Sequence, residues 1–385
     1  MTTAKARIKV IHVITRLDLG GAQGNTLYTA SGLDPARFDC MVAVGEGGTL
    51  EPEARNNPGL KLRFLSSLKW EISPGQDLLC LLQLWNLFLT ERPAVVHTHS
   101  SKAGILGRLA AWLAGVPLVI HTYHGFGFND YQSALRKGVY LFLERLACRA
   151  AHRIVFVSES NRVYALKHRL GDPSRYLLIR SGIKFSDYPA TLEDAGRLKA
   201  SLGLGMHKPL ITSIGNLKPQ KNPGDFVSLA RMVAAENPDA RFLFIGDGPL
   251  RPRMECQMVA AGLHGRLAMP GWRRETPELL AASNIFVLTS LWEGLPRALV
   301  EAMKSSLPCV CYATDGVTDI LKDGENGFVV PVGDLNLMSR RILTLLADPA
   351  LRKRLGQRAA ASVGPDFDID LMVKAQEKLY EETRR

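Results

Sequence analysis

Cysteine is scarce and scattered: of six, Cys40, Cys80, Cys148 and Cys256 stand alone, and only Cys309 and Cys311 are close together. That excludes a disulfide framework and a zinc spacing, and it points to a reduced, cytosolic compartment. Long apolar runs are lacking too. The stretch 78–89 is broken by Gln83 and Asn86, and 103–120 contains Arg108, so no transmembrane helix is expected. Near the N-terminus Lys5, Arg7 and Lys9 accompany residues 8–14, but that run holds His12 and has no small-residue cleavage site. It reads as a first strand, not a signal peptide. Aromatic side chains make up only 7%, and no aromatic or glycine-rich RNA signature is present, which ranks nucleic acid lowest among partners. Internal repeats and low-complexity tracts are missing.

What remains is a chain of 385 residues, 46% apolar and 22% charged, able to bury a large core and long enough for two domains. Its net charge of +11 is unevenly placed. Residues 1–185 carry 23 Lys/Arg against 13 Asp/Glu, a net +10, whereas the remainder is +1. A basic half joined to a neutral one suggests a surface that meets phosphates, on nucleic acid, on anionic lipid or on a phosphorylated substrate, and charge alone does not choose among them. The densest part is 131–153, where Leu135, Val139, Phe142 and Leu146 form an apolar helical stripe and Arg136, Lys137, Arg145, Arg149 and Arg153 stay polar. Such a helix either touches a membrane or packs as an ordinary core helix with a solvated basic face. Periodicity alone does not choose.

Short β-branched runs alternate with helical segments at 8–14, 38–44, 94–98, 118–122, 153–158 and 176–180. A second series occupies 209–214, 241–245, 266–269, 284–289, 309–312 and 327–331. The pattern predicts an α/β chain of two doubly wound Rossmann-like domains, residues 1–185 and 208–365, joined by the strand-poor linker 186–207. Ligands of such sheets bind beyond the carboxyl ends of strands, so an interdomain cleft is the default site.

Several loops at strand ends carry chemistry. Gly20 and Gly21 precede a helix whose N–H groups attract anions. His97 and His99 end the third strand and His121 and His124 the fourth, with one or both of the latter imidazoles aimed at the cleft. No acidic or cysteine ligands accompany them at suitable spacing, so no metal is assigned, and His124, followed by Gly125, is the best placed to touch substrate. Lys221 lies just before a helix starting near Pro223, where its ammonium would neutralise a diphosphate leaving group. Gly246-Asp247-Gly248-Pro249 gives another glycine turn. Most informative is the segment from Glu293 through Gly294, Leu295, Pro296 and Arg297 to Glu301. With Pro296 in the first helical turn, N–H groups from Gly294 to Arg297 point at one anion, while the two carboxylates accept hydroxyl hydrogen bonds from a sugar and a ribose. A nucleotide diphosphate sugar fits that layout. The acidic run Asp366-Phe367-Asp368-Ile369-Asp370 resembles a metal motif, but it opens a C-terminal amphipathic helix and reads as a cap.

Taken in order, these residues resemble the retaining GT-B glycosyltransferases that carry a Glu-x7-Glu motif, the family 4-like group, over nearly the whole chain. The stretch from Val96-His97-Thr98-His99 to Arg108 further resembles members that assemble capsular, exopolysaccharide or O-antigen units on a lipid carrier. The resemblance implies that the first domain holds the acceptor, that the second holds the nucleotide sugar, and that residues 366–385 pack back on the first. By motif, Glu293 would contact the transferred sugar, Gly294 to Arg297 the phosphates, Glu301 the ribose, Lys221 the diphosphate and Gly271-Trp272 the base. His124 would contact the sugar at the reaction centre, and Gly20, Gly21, Asn216 and Gly246 complete the set. Where the family usually has arginine, this chain has Asn216, a hydrogen-bonding residue without charge. The expected activity is metal-independent, retaining transfer of a hexose or N-acetylhexosamine from a UDP- or GDP-sugar to a lipid-linked saccharide. No cofactor is expected, and the enzyme would sit at the cytoplasmic face of the plasma membrane against anionic lipid. The alternatives are a nucleotide-sugar epimerase and a catalytically weak scaffold of a polysaccharide-assembly complex.

Overall fold

The computed structural model describes residues 6–128, 132–188 and 194–384. Lys5, Tyr131 and residues 189–193 of the expected linker lie outside the described residues. The chain divides into two compact units, one of Met1–Gly182 with Ile369–Arg385 and one of Ile183–Asp368. The 186–207 stretch thus belongs to the second unit, where it carries the helix Ala195–Ser201.

The first unit is built on seven parallel strands: β1 (Ile8–Ile14), β2 (Phe38–Val44), β3 (Leu62–Phe64), β4 (Val95–His99), β5 (Leu118–Tyr123), β6 (Arg153–Phe156) and β7 (Tyr176–Leu178), in the order β3-β2-β1-β4-β5-β6-β7. Because helices cover both faces, alternate residues of β1 enter different cores. Ile11 and Val13 pack with Leu84, Phe88 and Ala103, whereas Ile8 and Val10 pack with Met372, Val373 and Leu379 of the last helix, Ile369–Tyr380. That helix is held further by Tyr28, whose hydroxyl donates to Asp370 at 2.6 Å. The acidic run before it forms a 3-10 turn, Pro365–Phe367, leading into the helix.

The stripe of basic helix Ala134–Arg149 does not pack inside its unit. Leu135 is 81% exposed and Phe142 66%, with Val139 and Leu146 also exposed. The buried face is instead Glu144, Ala147 and Cys148. Glu144 accepts from Arg108 at 2.6 Å and from the Tyr123 hydroxyl at 2.7 Å, and all three side chains are buried. Arg108 therefore breaks the apolar run 103–120 to supply half of an interior ion pair. Its helix, Ser101–Leu113, packs against both Pro74–Glu91 and Ala134–Arg149. Helix Pro74–Glu91 exposes Leu78, Leu82 and Leu89, and Ser101–Leu113 exposes Trp112. Among the described residues no helix is long and apolar enough to cross a membrane.

The second unit has six parallel strands: β8 (Leu210–Ile214), β9 (Arg241–Ile245), β10 (Leu267–Gly271), β11 (Ile285–Leu288), β12 (Cys309–Tyr312) and β13 (Phe328–Val330), ordered β10-β9-β8-β11-β12-β13. Helix Pro223–Glu236 buries Phe226, Val227, Ala230 and Val233, one stripe at helical spacing, against Phe242 and Phe244 of β9.

Candidate functional site

In the second sheet, order reverses between β8 and β11, and the loops leaving their carboxyl ends are stapled together. Thr289 donates its hydroxyl to the carbonyls of Lys221 and Asn222, both at 3.1 Å. The Leu291 N–H reaches Gln220 O at 2.8 Å, and the Gln220 amide returns to Trp292 O at 3.0 Å. Asn222, at φ +45°, ends the 3-10 turn Pro219–Lys221 and caps the next helix. This brings Lys221 and Glu293, 72 residues apart, into an ion pair with both side chains largely covered. A Cβ on Gly246, whose φ is +148°, would lie 1.9 Å from Gly215 O, so glycine is required for the β9 turn to rest on the β8 loop. Arg251 then ties that turn to β10, donating to Asp247 at 2.8 Å and to Met269 O at 3.2 Å, and it holds the Asp247 carboxyl below its usual range. Half-buried Trp272 follows the end of β10.

From the β11 loop rises the helix Arg297–Lys304. Pro296 is its N-cap, at φ −74° and ψ 95°, one position outside the first turn that the sequence pattern predicts for it. Its extended ψ holds Gly294 and Leu295 off the helix axis. Among the described residues the N–H groups of Gly294, Leu295 and Arg297 have no protein partner, and the helix dipole adds positive potential there. Buried Glu301 receives Arg297 at 3.3 Å and a hydrogen bond from Tyr188, whose hydroxyl pKa is driven up by burial and by that carboxylate. Tyr188 was not legible in the sequence. Nor were Ser290 and Thr314, whose buried hydroxyls, like Arg297 Nε, have no partner among the described residues. Unpaired buried polar atoms beside strand ends are what an absent polar ligand would satisfy. One ammonium, a row of N–H groups and two carboxylates can thus take an anion flanked by hydroxyl-bearing groups.

In the first unit, helix Gly21–Gly32 begins directly after an extended Gly20 (φ −175°). The strand-end histidines are interior. His121 is buried, with Nδ1 2.9 Å from Thr98 Oγ1, which leaves His124 as the more exposed ring of the pair. His121 lies under Gly104, where a Cβ would stand 2.5 Å from its Cε1. His97 and His99 are buried as well, joined by His12 of β1, a strand residue that the sequence reading does not place in a site. The signal was there: a histidine inside each of three β-branched runs. Candidate ligand atoms of His12, His97 and His99 lie within 4.8 Å of one another, the metal-compatible group among the described residues. Every ring nitrogen of these three already has a polar partner. His124 is half-buried before Gly125 (φ +137°), with Nε2 3.0 Å from His99 Nδ1 and Nδ1 buried without a partner among the described residues. Burial pushes His12 down to about 3 and His124 to about 4, and His97, His99 and His121 well below the ordinary imidazole value.

Residues 194–362 match the family described as glycosyl transferases group 1, and residues 20–182 match the glycosyl transferase 4-like domain. The chain is 32% identical, over 91% of its length and 91% of the relative's, to the UDP-Gal:alpha-D-GlcNAc-diphosphoundecaprenol alpha-1,3-galactosyltransferase of Escherichia coli. It is 23% identical to the capsular polysaccharide biosynthesis glycosyltransferase CapM of Staphylococcus aureus, covering 81% of this chain and 83% of that one. Among solved structures, Anabaena Alr3699/HepE in complex with UDP-glucose superposes with a TM-score of 0.85 at 18% identity, over 98% of this chain and all of that one.

Proposed function

The chain belongs to the group 1, 4-like glycosyltransferases of the GT-B fold, and from that premise we propose that it moves a hexose from a UDP-sugar to a lipid-diphosphate-linked N-acetylhexosamine. The pairing of Lys221 with Glu293 at the switch point of the second sheet carries this reading. The UDP-Gal and lipid-linked substrates of the Escherichia coli relative support the substrate classes. In this reading the diphosphate lies across Lys221 and the free N–H groups of Gly294 to Arg297. Glu301 takes the ribose hydroxyls, Trp272 and Gly246 flank the base, and Glu293 takes the sugar. Asn216 adds a hydrogen bond at the phosphates, while Gly20, Gly21 and His124 of the first unit serve the reacting sugar. With the leaving group stabilised by an ammonium and a helix N-terminus, the departing phosphate can take the acceptor proton on the same face. That is metal-independent transfer with retention.

The reading makes Glu301 an exchange point. Ribose hydroxyls replace Tyr188 and Arg297 on a buried carboxylate, so Glu301→Gln is expected to weaken UDP binding by about tenfold to a hundredfold, the worth of hydrogen bonds to a charge. Isothermal titration with UDP in EDTA measures this, and an unchanged affinity would contradict the assignment.

We assign the acceptor side to a membrane surface at the cytoplasmic face. Exposed Leu135, Val139 and Phe142 beside Arg136, Lys137, Arg145 and Arg149 suit an anionic interface. Vesicle sedimentation is expected to show binding that needs anionic lipid, and Leu135→Ser with Phe142→Ser is expected to cut it by about tenfold or more, given roughly 1.5–3 kcal/mol per large side chain. Equal binding to neutral vesicles would count against this face.

A further inference from the structure

A set of polar side chains in the first unit forms one continuous hydrogen-bonded chain. It runs from His124 Nε2 to His99 Nδ1 at 3.0 Å, and from His99 Nε2 to His12 Nδ1 at 2.9 Å. His12 Nε2 then lies 3.4 Å from the Tyr380 hydroxyl. That hydroxyl is also 2.7 Å from His97 Nδ1, while His97 Nε2 is 2.7 Å from Thr122 Oγ1. One bond has a fixed direction: Tyr380 donates to Gln376 Oε1 at 3.0 Å.

A hydroxyl has a single proton, and a neutral imidazole has one donor and one acceptor nitrogen. With its proton given to Gln376, Tyr380 accepts, so His12 donates from Nε2 and accepts at Nδ1. His99 must then donate from Nε2 and accept at Nδ1, which requires His124 to donate from Nε2. The last atom in the series, His124 Nδ1, is left with a bare lone pair. Burial keeps every ring neutral, so no extra proton breaks the alternation.

His124 Nδ1 does not end in packed hydrocarbon. His124 lines a small cavity of about 10 Å³ together with Asn25 and Thr29, near the lower limit of the space that one water needs. The Asn25 amide oxygen and nitrogen and the Thr29 hydroxyl are buried and have no partner among the described residues. Three side chains with unmet hydrogen-bonding capacity around one such space call for a ligand that both donates and accepts.

We propose that Tyr380, acting through His12 and His99, is a positioning residue that fixes His124 as the Nε2–H tautomer, so that Nδ1 accepts a hydrogen bond from a single water held by Asn25 and Thr29. The last helix of the chain thereby sets the hydrogen-bonding polarity of a group near the reacting sugar. This functional consequence rests on the role proposed for His124. The tautomer assignment itself does not.

The test is 15N imidazole spectroscopy of the full chain without ligand, assigned by single-histidine substitutions, together with steady-state kinetics. Wild type is expected to show His12, His99 and His124 each as the single Nε2–H form and His97 as Nδ1–H. Tyr380→Phe should mix these tautomers and lower kcat by about fivefold to tenfold, the worth of one buried hydrogen bond, with KM for the nucleotide sugar little changed. Gln376→Leu should turn the Tyr380 proton back into the chain and drive His124 toward Nδ1–H. Tyr28→Phe removes the bond to Asp370 on the same helix and should leave every tautomer unchanged, which separates positioning from loosening of the helix. An Nδ1–H His124 in wild type, tautomers indifferent to Tyr380→Phe, or a stoichiometric metal ion on His12, His97 and His99 would overturn the proposal. Correct tautomers in a protein that transfers no sugar would instead count against the proposed function.

Discussion

Lys221→Ala is expected to lower kcat by about two to four orders of magnitude, the range that follows loss of a preorganised group stabilising developing charge. The side chain is held in place before any ligand arrives. Its loop is fixed by Thr289 and Gln220, its stem lies beside Gly215 where a Cβ would stand 3.2 Å away, and its ammonium is neutralised by Glu293. Removing it takes away the proposed leaving-group cation and leaves the buried Glu293 carboxylate unpaired where the diphosphate is proposed to bind. Nucleotide affinity should fall as well as turnover. Glu293→Gln in the same background relieves the repulsion and should restore part of the UDP affinity but none of the turnover. Titration with UDP and single-turnover rates, measured on both variants, separate these effects. A loss of less than about tenfold in the single variant would show that leaving-group stabilisation lies elsewhere, since about 1.4 kcal/mol is within the reach of any lost surface contact.

The second large effect is on stability in acid. His12, His97, His99 and His121 are all buried and all held neutral chiefly by desolvation, His12 down to about 3 from 6.5. Protonating His97, His99 or His121 would set its charge against that of a protonated neighbour and, at His121, against Arg108, which pushes the same way, while only the hydrogen bond to Thr98 opposes it at His121. The sign follows from proton counts. Well above pH 6.5 neither folded nor unfolded rings are protonated, and the full stability is present. As the pH falls below 6.5, the unfolded chain takes up protons that the folded chain refuses, so stability declines until the folded values are reached. Each such histidine removes up to about 1.4 kcal/mol per pH unit in that window. Urea unfolding followed by fluorescence is expected to lose several kcal/mol between pH 7 and pH 5, before most carboxylates titrate. An unchanged midpoint across that window would mean that these rings are solvated.

Much of the architecture was legible because fully buried parallel strands announce themselves. Residues 8–14 and 38–44 are strands over the predicted ranges, and most others shift by a residue or two at their ends. The missed strand, Leu62–Phe64, is three residues at the edge of the sheet with Arg63 between its apolar positions, too short for a period to register. At the site, the glycine turns and the Glu293–Glu301 segment were visible as local patterns. The contacts between distant segments were not. Lys221 with Glu293, Tyr188 with Glu301 and Arg108 with Glu144 join residues 36 to 113 positions apart, and no local spacing encodes them. The stripe on Ala134–Arg149 shows the limit of periodicity most clearly. Its apolar face was readable, but whether that face met a core depended on Glu144 and Cys148 occupying the inward side.

The central claim, metal-independent transfer with retention, is tested most directly by the anomeric configuration of the product. The enzyme, in EDTA, would be given a UDP-hexose that titration shows to bind and a lipid-diphosphate-linked N-acetylhexosamine, and the new linkage read by proton NMR. An α linkage, matching the α-configured nucleotide sugar, is expected. A β linkage, or transfer that appears only when a divalent metal is restored, would contradict it.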